Sequence, residues 1–397
     1  MRRADYQGAL IRQTNHMNVV LPASITSREY GQRLSRFRAE MSNRNVDLAI
    51  IDAAETLFYL FGFTPSAVRY QCCLVPLIDS PRMVMRELDQ PLVVGRSWLG
   101  PDVTYRDWED PIVSVSNTVK ALGYERSRIG QELDSHFLTV KTAFAIRGLL
   151  SKATFADLSG VTRLLMARKS PAEIECHRAA ARVADLGMQA GVEALKEGIS
   201  ERELAAAIYA RALSEGADNN APRIALIGVD PAAAAFHRGV TGSRVRRDTP
   251  IHIELLPQVN SYSSRLMRTA VVGELNTHLA SVFDRLVVIQ DRQLAAIRPG
   301  AVAGEIDRIA RASILEAGLR NSYINNTGYG LGVIVSPRLG DFDLLFVPDA
   351  TWLVEDGMVF HMYVSGAGLS ISETVLVTPT GHERLTHTDR RVLSAPS

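Results

Sequence analysis

Four titratable residues in the second half of the chain have the types that do acid–base chemistry, and three of them stand in apolar, strand-like runs. Glu254 follows Ile253 and precedes Leu255-Leu256, His361 lies within Met358-Val359-Phe360-His361-Met362, and Glu373 lies within Ile371-Ser372-Glu373-Thr374-Val375. His237 sits between an Ala-rich run and Gly239. A carboxylate on a buried strand is costly unless it is paired, which enriches such positions in functional sites. Taken singly, each is equally a strand residue facing water; their recurrence on consecutive sheet segments points to convergence in one cleft. Two carboxylates with one or two imidazoles suffice for general acid–base or covalent catalysis at a C–N bond. Arg265 and Arg268 flank Leu266-Met267, and Arg69 precedes Tyr70-Gln71. Their planar forks suit an acidic or zwitterionic ligand, although an ion-paired surface role is as common for any one Arg.

Other devices are absent. The chain has no HExxH, no GxSxG, no phosphate-binding P-loop and no GxGxxG placed after a strand, so no cofactor is expected. Gly328-Tyr329-Gly330-Leu331-Gly332 lacks a following helix and a phosphate-binding Lys, and is read as a tight backbone turn. The 397 residues carry 44 Lys and Arg against 43 Asp and Glu, a formal charge of +1 without basic blocks. That balance argues against nucleic acid or an anionic membrane as the partner and for a small molecule. Three Cys, two of them adjacent at Cys72 and Cys73, make neither a disulfide framework nor a metal pair, which fits a reducing cytoplasm. The apolar stretches of the N-terminus are broken by Gln, Asn and His, unlike a secretory signal, and no apolar run approaches the ~20 residues that span a bilayer.

The elements that must hold these residues fall into two groups. Tyr30, Leu34, Phe37 and Met41 recur at helical spacing over 27–44, and helix–strand alternation then continues to about residue 160, an α/β layer domain. Ser170-Pro171-Ala172-Glu173 combines an N-cap, a first-turn Pro and a capping-box Glu, which predicts a long helix ending at Gly198; Ser200 and Glu203 start another. From residue 222 strands dominate, with two helices near 276–296 and 303–317, an α+β domain. The boundaries are 1–26 for an N-terminal extension, 27–160 for the first domain and 161–397 for the second, with 151–169 as the junction.

The order of Tyr59-Leu60-Phe61-Gly62-Phe63, KSPAEIE (169–175), Arg268-Thr269, Gly328-Tyr329-Gly330, EDGMVF (355–360) and ETVLVT (373–378) resembles the creatinase/prolidase/aminopeptidase family, over about residues 27–385. The resemblance implies a creatinase-type α/β N-terminal domain and an α+β C-terminal "pita-bread" domain. Peptidases of the family hold two metal ions with two Asp, one His and two Glu, which the resemblance places on Glu254, Arg265, Leu331, Tyr363 and Ser372. Such a set cannot build a dinuclear carboxylate site, so no metal is expected. The chain is more similar to the metal-free branch of creatinases and ectoine hydrolases, and within it to the ectoine hydrolases, at Glu254, Tyr262, the Gly328-Tyr329 pair, Phe360-His361 and Glu373. His237 falls where both place a His, and Arg69 where creatinase holds the substrate carboxylate from the neighbouring subunit, which implies a homodimer. Phe236 and Phe63-Thr64-Pro65-Ser66 depart from the ectoine-hydrolase pattern at positions that would line the pocket, so the substrate stays open.

The expectation is a metal-independent hydrolase of a C–N bond, cyclic amidine, guanidine or amide, in a small carboxylate-bearing metabolite. Glu254, His237, His361 and Glu373 would be catalytic; Arg69, Tyr262, Arg265, Arg268, Tyr329 and Tyr363 would bind substrate. The rivals are a catalytically silent binding protein and a metallopeptidase with an unusual site.

Overall fold

The computed structural model describes residues 25–66, 68–94, 97–219, 223–229, 239–336, 338 and 343–395. The first domain comprises α1 (Ser27–Asn43), β1 (Leu48–Ile51), α2 (Ala54–Phe61), β2 (Cys72–Pro76), β3 (Arg82–Arg86), β4 (Val103–Tyr105), α3 (Pro111–Ala121), β5 (Arg128–Gln131), α4 (Val140–Leu149), β6 (Thr154–Asp157) and α5 (Val161–Met166). The strands form one mixed sheet in the order β4-β3-β2-β1-β5-β6. Both faces are buried, because alternate side chains enter different cores. Leu48, Ile50, Cys72 and Leu74 pack on one side, and Ala49, Ile51, Cys73 and Val75 on the other. The stretch 151–169 holds β6, paired in this sheet, and α5, whose Val161 and Met166 join the same core as Leu34 and Phe37 of α1.

One carboxyl in this domain is held away from water. Glu132, at the end of β5, accepts hydrogen bonds from Thr56 (2.8 Å) and Thr162 (3.3 Å), and burial pushes its pKa up to about 8. Unfolded, the group ionises above its ordinary value of 4.5, whereas folded it keeps its proton up to about 8. Its contribution to stability is therefore full below the lower value and is lost as pH rises through the upper one. Glu132→Gln is expected to stabilise the protein relative to wild type by roughly 2 kcal/mol at pH 8 and by little at pH 5. Urea unfolding at the two pH values reads this; a pH-independent difference would clear Glu132 of the role.

The second domain begins with α6 (Pro171–Ala194) and α7 (Glu201–Ser214), each opened by a complete capping box, at Ser170/Glu173 and Ser200/Glu203. It continues with β7 (Ala225–Gly228), β8 (Ile251–Leu255), β9 (Gln258–Val259), β10 (Tyr262–Ser263), β11 (Leu266–Val272), α8 (Thr277–Ala295), α9 (Ala303–Glu316), β12 (Gly328–Gly330), β13 (Asp343–Phe346), β14 (Val359–Gly366), β15 (Leu369–Thr378), β16 (Gly381–Arg384) and β17 (Leu393–Ala395). Two sheets result, β17-β11-β8-β7 and β13-β12-β14-β15-β16, beside the short β9–β10 hairpin. Each is backed by a helix pair. Ala184 and Met188 of α6 and Leu204 and Ile208 of α7 pack on Ile251, Ile253 and Leu255, while Phe283 and Leu286 of α8 and Ile314 of α9 pack on Val364 and Ile371.

Where β11 meets β15 no backbone ladder joins them; hydroxyls lace the seam instead. The Ser372 Oγ accepts from the Met267 N–H at 2.7 Å, and the Thr374 Oγ1 accepts from the Arg265 N–H at 2.8 Å and donates to the Arg265 carbonyl at 2.9 Å. The glycine-rich segment is not the turn expected from its composition. Gly328–Gly330 form strand β12 between β13 and β14, and a Cβ at Gly328 would lie 2.5 Å from the Met362 Sδ. Close approach of strands, not a positive φ, is what requires glycine there.

The two domains share a buried polar joint. Glu173 closes its capping box on the Ser170 N–H (2.8 Å), accepts from the Tyr262 hydroxyl (3.0 Å) and lies 3.4 Å from the fully buried Arg33 of α1. Arg33 also pairs with Glu29 at 2.6 Å.

Candidate functional site

The site grows out of the alternation of β8. Ile251, Ile253 and Leu255 enter the α6/α7 core, so His252 and Glu254 project together from the opposite face. The His252 Nδ1 meets the Ser370 Oγ at 2.7 Å, and its Nε2 lies 3.8 Å from the Glu254 Oε2. Arg265, whose backbone is fixed by Thr374, brings its Nη1 to 3.3 Å from the Glu254 Oε1. Its guanidinium carbon lies 5.8 Å from the centre of the Tyr329 ring. The β12–β14 register sets Tyr329 opposite His361, edge to face with ring centres 5.0 Å apart. Tyr363, two residues on, stacks on His361 at 5.1 Å. Its hydroxyl donates to the Asn326 Oδ1 (2.9 Å) and accepts from the Asn325 Nδ2 (3.0 Å).

Burial acts to raise the Glu254 pKa, yet the neighbouring His252 and the Arg265 charge outweigh it, and the carboxyl titrates below its ordinary value. Glu254 is therefore an ionised base beside a cation. His361 is the opposite case: burial pushes its pKa down to about 3, and Arg265 adds to the effect. The imidazole is neutral, fully buried, and neither ring nitrogen has a hydrogen-bond partner among the described residues. A buried polar group in that state is what a site leaves for a ligand or an ordered water. An ionised carboxylate, a neutral imidazole, a guanidinium and two phenols can abstract a proton, return one and stabilise a developing oxyanion.

The structure thus gathers Glu254, His361, Arg265, Tyr329 and Tyr363. It holds three other expected site residues elsewhere. Glu373 pairs across strands with Met362, and His361 with Thr374, so the two lie on opposite faces of the sheet. Glu373 faces the α8 layer, bound to Arg268 at 2.8 Å, with Arg390 at 3.3 Å and Arg384 at 3.6 Å, while the Thr386 hydroxyl takes its other oxygen. Arg268 spends all five N–H donors, on the carbonyls of Met267, Ser372, Thr388 and Asp389 and on Glu373. Tyr262 gives its hydroxyl to Glu173 in the domain joint. The structure thus places Glu373, Arg268 and Tyr262 in framework contacts, apart from the group around Glu254 and His361. Arg69, half-buried before β2, donates to the Glu109 carbonyl at 2.8 Å within its own domain. His237 lies outside the described residues. His252 was missed from sequence, although Ile251-His252-Ile253-Glu254 is the period-2 signal that puts it beside Glu254. Asn325 and Asn326 lie on a loop before β12 and gave no signal at all.

A dinuclear metal centre needs several oxygen or imidazole donors turned toward a common point. Where the resemblance would place such donors, Arg265 brings a cation against Glu254, the Tyr363 hydroxyl is held by two Asn side chains, Leu331 sits in an apolar cluster, and the Ser372 hydroxyl is engaged by a backbone N–H. The donor set does not fit two metal ions. Among the described residues no group of three or more His, Cys, Asp and Glu could hold even one.

Comparison with known proteins gives the same frame. The chain is 26% identical over 366 residues to an Xaa-Pro dipeptidase of Pyrococcus furiosus, covering 91% of this chain and 99% of the relative. It is 25% identical over 401 residues to the ectoine hydrolase of Halomonas elongata, covering 95% and 99%. In fold it matches the crystal structure of a recombinant prolidase from Thermococcus sibiricus with a TM-score of 0.83 at 23% identity, over 94% of this chain and all of that one. No described helix is long and apolar enough to cross a membrane. The creatinase/prolidase N-terminal domain matches residues 33–165 and metallopeptidase family M24 matches residues 175–379, over half of the sequence. The chain belongs to metallopeptidase family M24, as a member with a creatinase-type N-terminal domain and a pita-bread C-terminal domain.

Proposed function

We propose that this hydrolase of the creatinase/prolidase family cleaves a C–N bond of a small carboxylate-bearing metabolite without a metal ion. The observation that carries the reading is the ionised Glu254, flanked by Arg265 and His252, in one cluster with the neutral His361, whose ring nitrogens have no hydrogen-bond partner among the described residues. Glu254 attacks the electrophilic carbon or takes a proton from the water that does. Arg265 stabilises the negative charge that develops on that carbon's substituent, and His361 hydrogen-bonds the reacting group. Proton delivery to the leaving nitrogen is assigned to His237. Because Arg265 already places a positive charge against Glu254, a neutral amide suits the site better than a cationic amidinium or guanidinium group. The same reading keeps a homodimer in which Arg69 approaches the neighbouring subunit's site.

The test is a turnover screen of the chelator-treated protein with ectoine, N-acyl amino acids, creatine and Xaa-Pro dipeptides, beside metal analysis of the untreated protein. The expected result is chelator-resistant hydrolysis of an amide or amidine acid. Xaa-Pro cleavage that follows about two tightly bound ions per chain would overturn the reading in favour of a metallopeptidase. Tight binding with no turnover of any compound would favour the silent binding protein.

A further inference from the structure

We propose that Arg320, braced on the Tyr323 ring, receives the carboxylate of the substrate at the mouth of the Glu254–His361 site. The assignment rests on the functional reading above and concerns the part of that site which selects the substrate.

Beyond α9 the chain turns back toward β12, and there two guanidinium groups stack on one ring, Arg320 at 4.2 Å and Arg311 at 4.7 Å from the centre of Tyr323. They differ in what neutralises them. Arg311 is held by both carboxylate oxygens of Asp307, at 2.7 and 2.8 Å, and by the carbonyls of Tyr323 and Asn325. Arg320 makes one hydrogen bond, from Nη1 to the Asn325 Oδ1 at 3.0 Å, and no ion pair with a described residue. A half-buried guanidinium, pre-oriented by a ring and left without an anion, is a receptor for one. Beside it the Tyr323 hydroxyl, on a side chain that is 9% exposed, has no partner among the described residues and can supply a second donor.

Contact is continuous from this group to the reacting centre. Arg320 bonds Asn325, Asn325 bonds the Tyr363 hydroxyl at 3.0 Å, and Tyr363 stacks on His361. Exposure rises along the same line. Glu254, Arg265 and His361 are buried, whereas Tyr363, Asn325, Asn326 and Arg320 are partly open to solvent. The assignment puts the entrance on the Arg320 side, so that a substrate whose C–N bond lies at His361 turns its other end toward this guanidinium. One uncompensated cation with a neutral phenol matches a monoanionic carboxylate better than a dianionic phosphate.

The experiment measures binding, not turnover, so that it stands apart from the hydrolase reading. Ectoine and 4-acetamidobutyrate, each paired with its primary amide, which lacks the carboxylate charge, are titrated calorimetrically into full-length protein carrying Glu254→Gln, with and without a change at Arg320. The expected result is that the acids bind roughly tenfold or more tightly than the amides. Arg320→Gln brings that ratio close to one, Arg320→Lys retains part of it, and Arg308→Gln, a change at an exposed Arg of α9 paired with Glu305, leaves it intact. An acid-to-amide ratio unchanged by Arg320→Gln, a ratio abolished by Arg69→Gln alone, or no binding of either acid at millimolar concentration would each overturn the assignment. Failure of the hydrolase reading shows separately, as absent turnover in wild type beside a preserved preference for acids.

Discussion

Glu373→Ala is expected to cost about 3–5 kcal/mol of folding stability. Arg268 is fully buried, and burial pulls its pKa below the ordinary value against the opposing attraction of Glu373. Four of its five N–H groups end on carbonyls, which satisfy hydrogen bonds but carry no net charge. Glu373 is its counter-charge at 2.8 Å, and also faces Arg390 and Arg384. Removing it leaves a buried cation with two more close by, and the Thr386 hydroxyl loses its acceptor. Urea unfolding and soluble yield measure the effect. A Glu373→Ala protein with wild-type stability and abolished turnover would return Glu373 to the catalytic set.

Glu254→Gln is expected to do the reverse, lowering turnover by roughly 10²–10⁴-fold while leaving the fold intact. The amide oxygen still accepts from Arg265, and the side chain keeps its volume, but neither a base nor a nucleophile remains. Steady-state kinetics on the substrate found by screening, with an unfolding curve beside it, separates the two effects; retained turnover would remove Glu254 from the chemistry. The pH dependence of the wild type follows from the same groups. Glu254 titrates below its ordinary value and His361 near 3, so neither changes charge between pH 5 and 8. Unfolded, His361 takes up its proton near 6.5. The unfolded chain therefore binds more protons as pH falls from 6.5 toward 3, and folding stability declines over that window. Acid inactivation should accordingly coincide with unfolding, seen as matching midpoints of activity and circular dichroism.

Much of the framework was legible in the chain because local rules dictate it. Apolar spacing placed α1, two Ser-x-x-Glu boxes placed the starts of α6 and α7, and β-rich runs placed β8, β11, β14 and β15. The long helix ends at Ala194 and not at Gly198, a residue with φ +81° four positions further on. The site was legible in part. Strand alternation says which residues share a face, but in β15 nine of ten positions are buried and neither face announces itself as the cleft. Glu373 and Thr374 could not be assigned to their sides without the register against β14. Tyr262 reads as a pocket phenol until the start of α6, far away in sequence, supplies its partner. Asn325, Asn326 and Arg320 stand in a loop, where position is set by tertiary contacts that no period encodes.

The hydroxyl seam between β11 and β15 bears on how freely this site can change. Ser372 stands where the resemblance implies a metal-binding Glu, and Thr374 fixes the backbone of Arg265, which stands where it implies an Asp. A longer carboxylate at 372 cannot keep the short bond to the Met267 N–H, and loosening that bond disturbs the strand on which Arg265 and Arg268 are mounted. One residue that would have to change to rebuild a metal cage, Ser372, is thus one that holds two strands together. A change at that position loosens the seam before it can contribute a ligand, so the arrangement behaves as a ratchet at this point: chemistry can drift around it more readily than a carboxylate can be installed there.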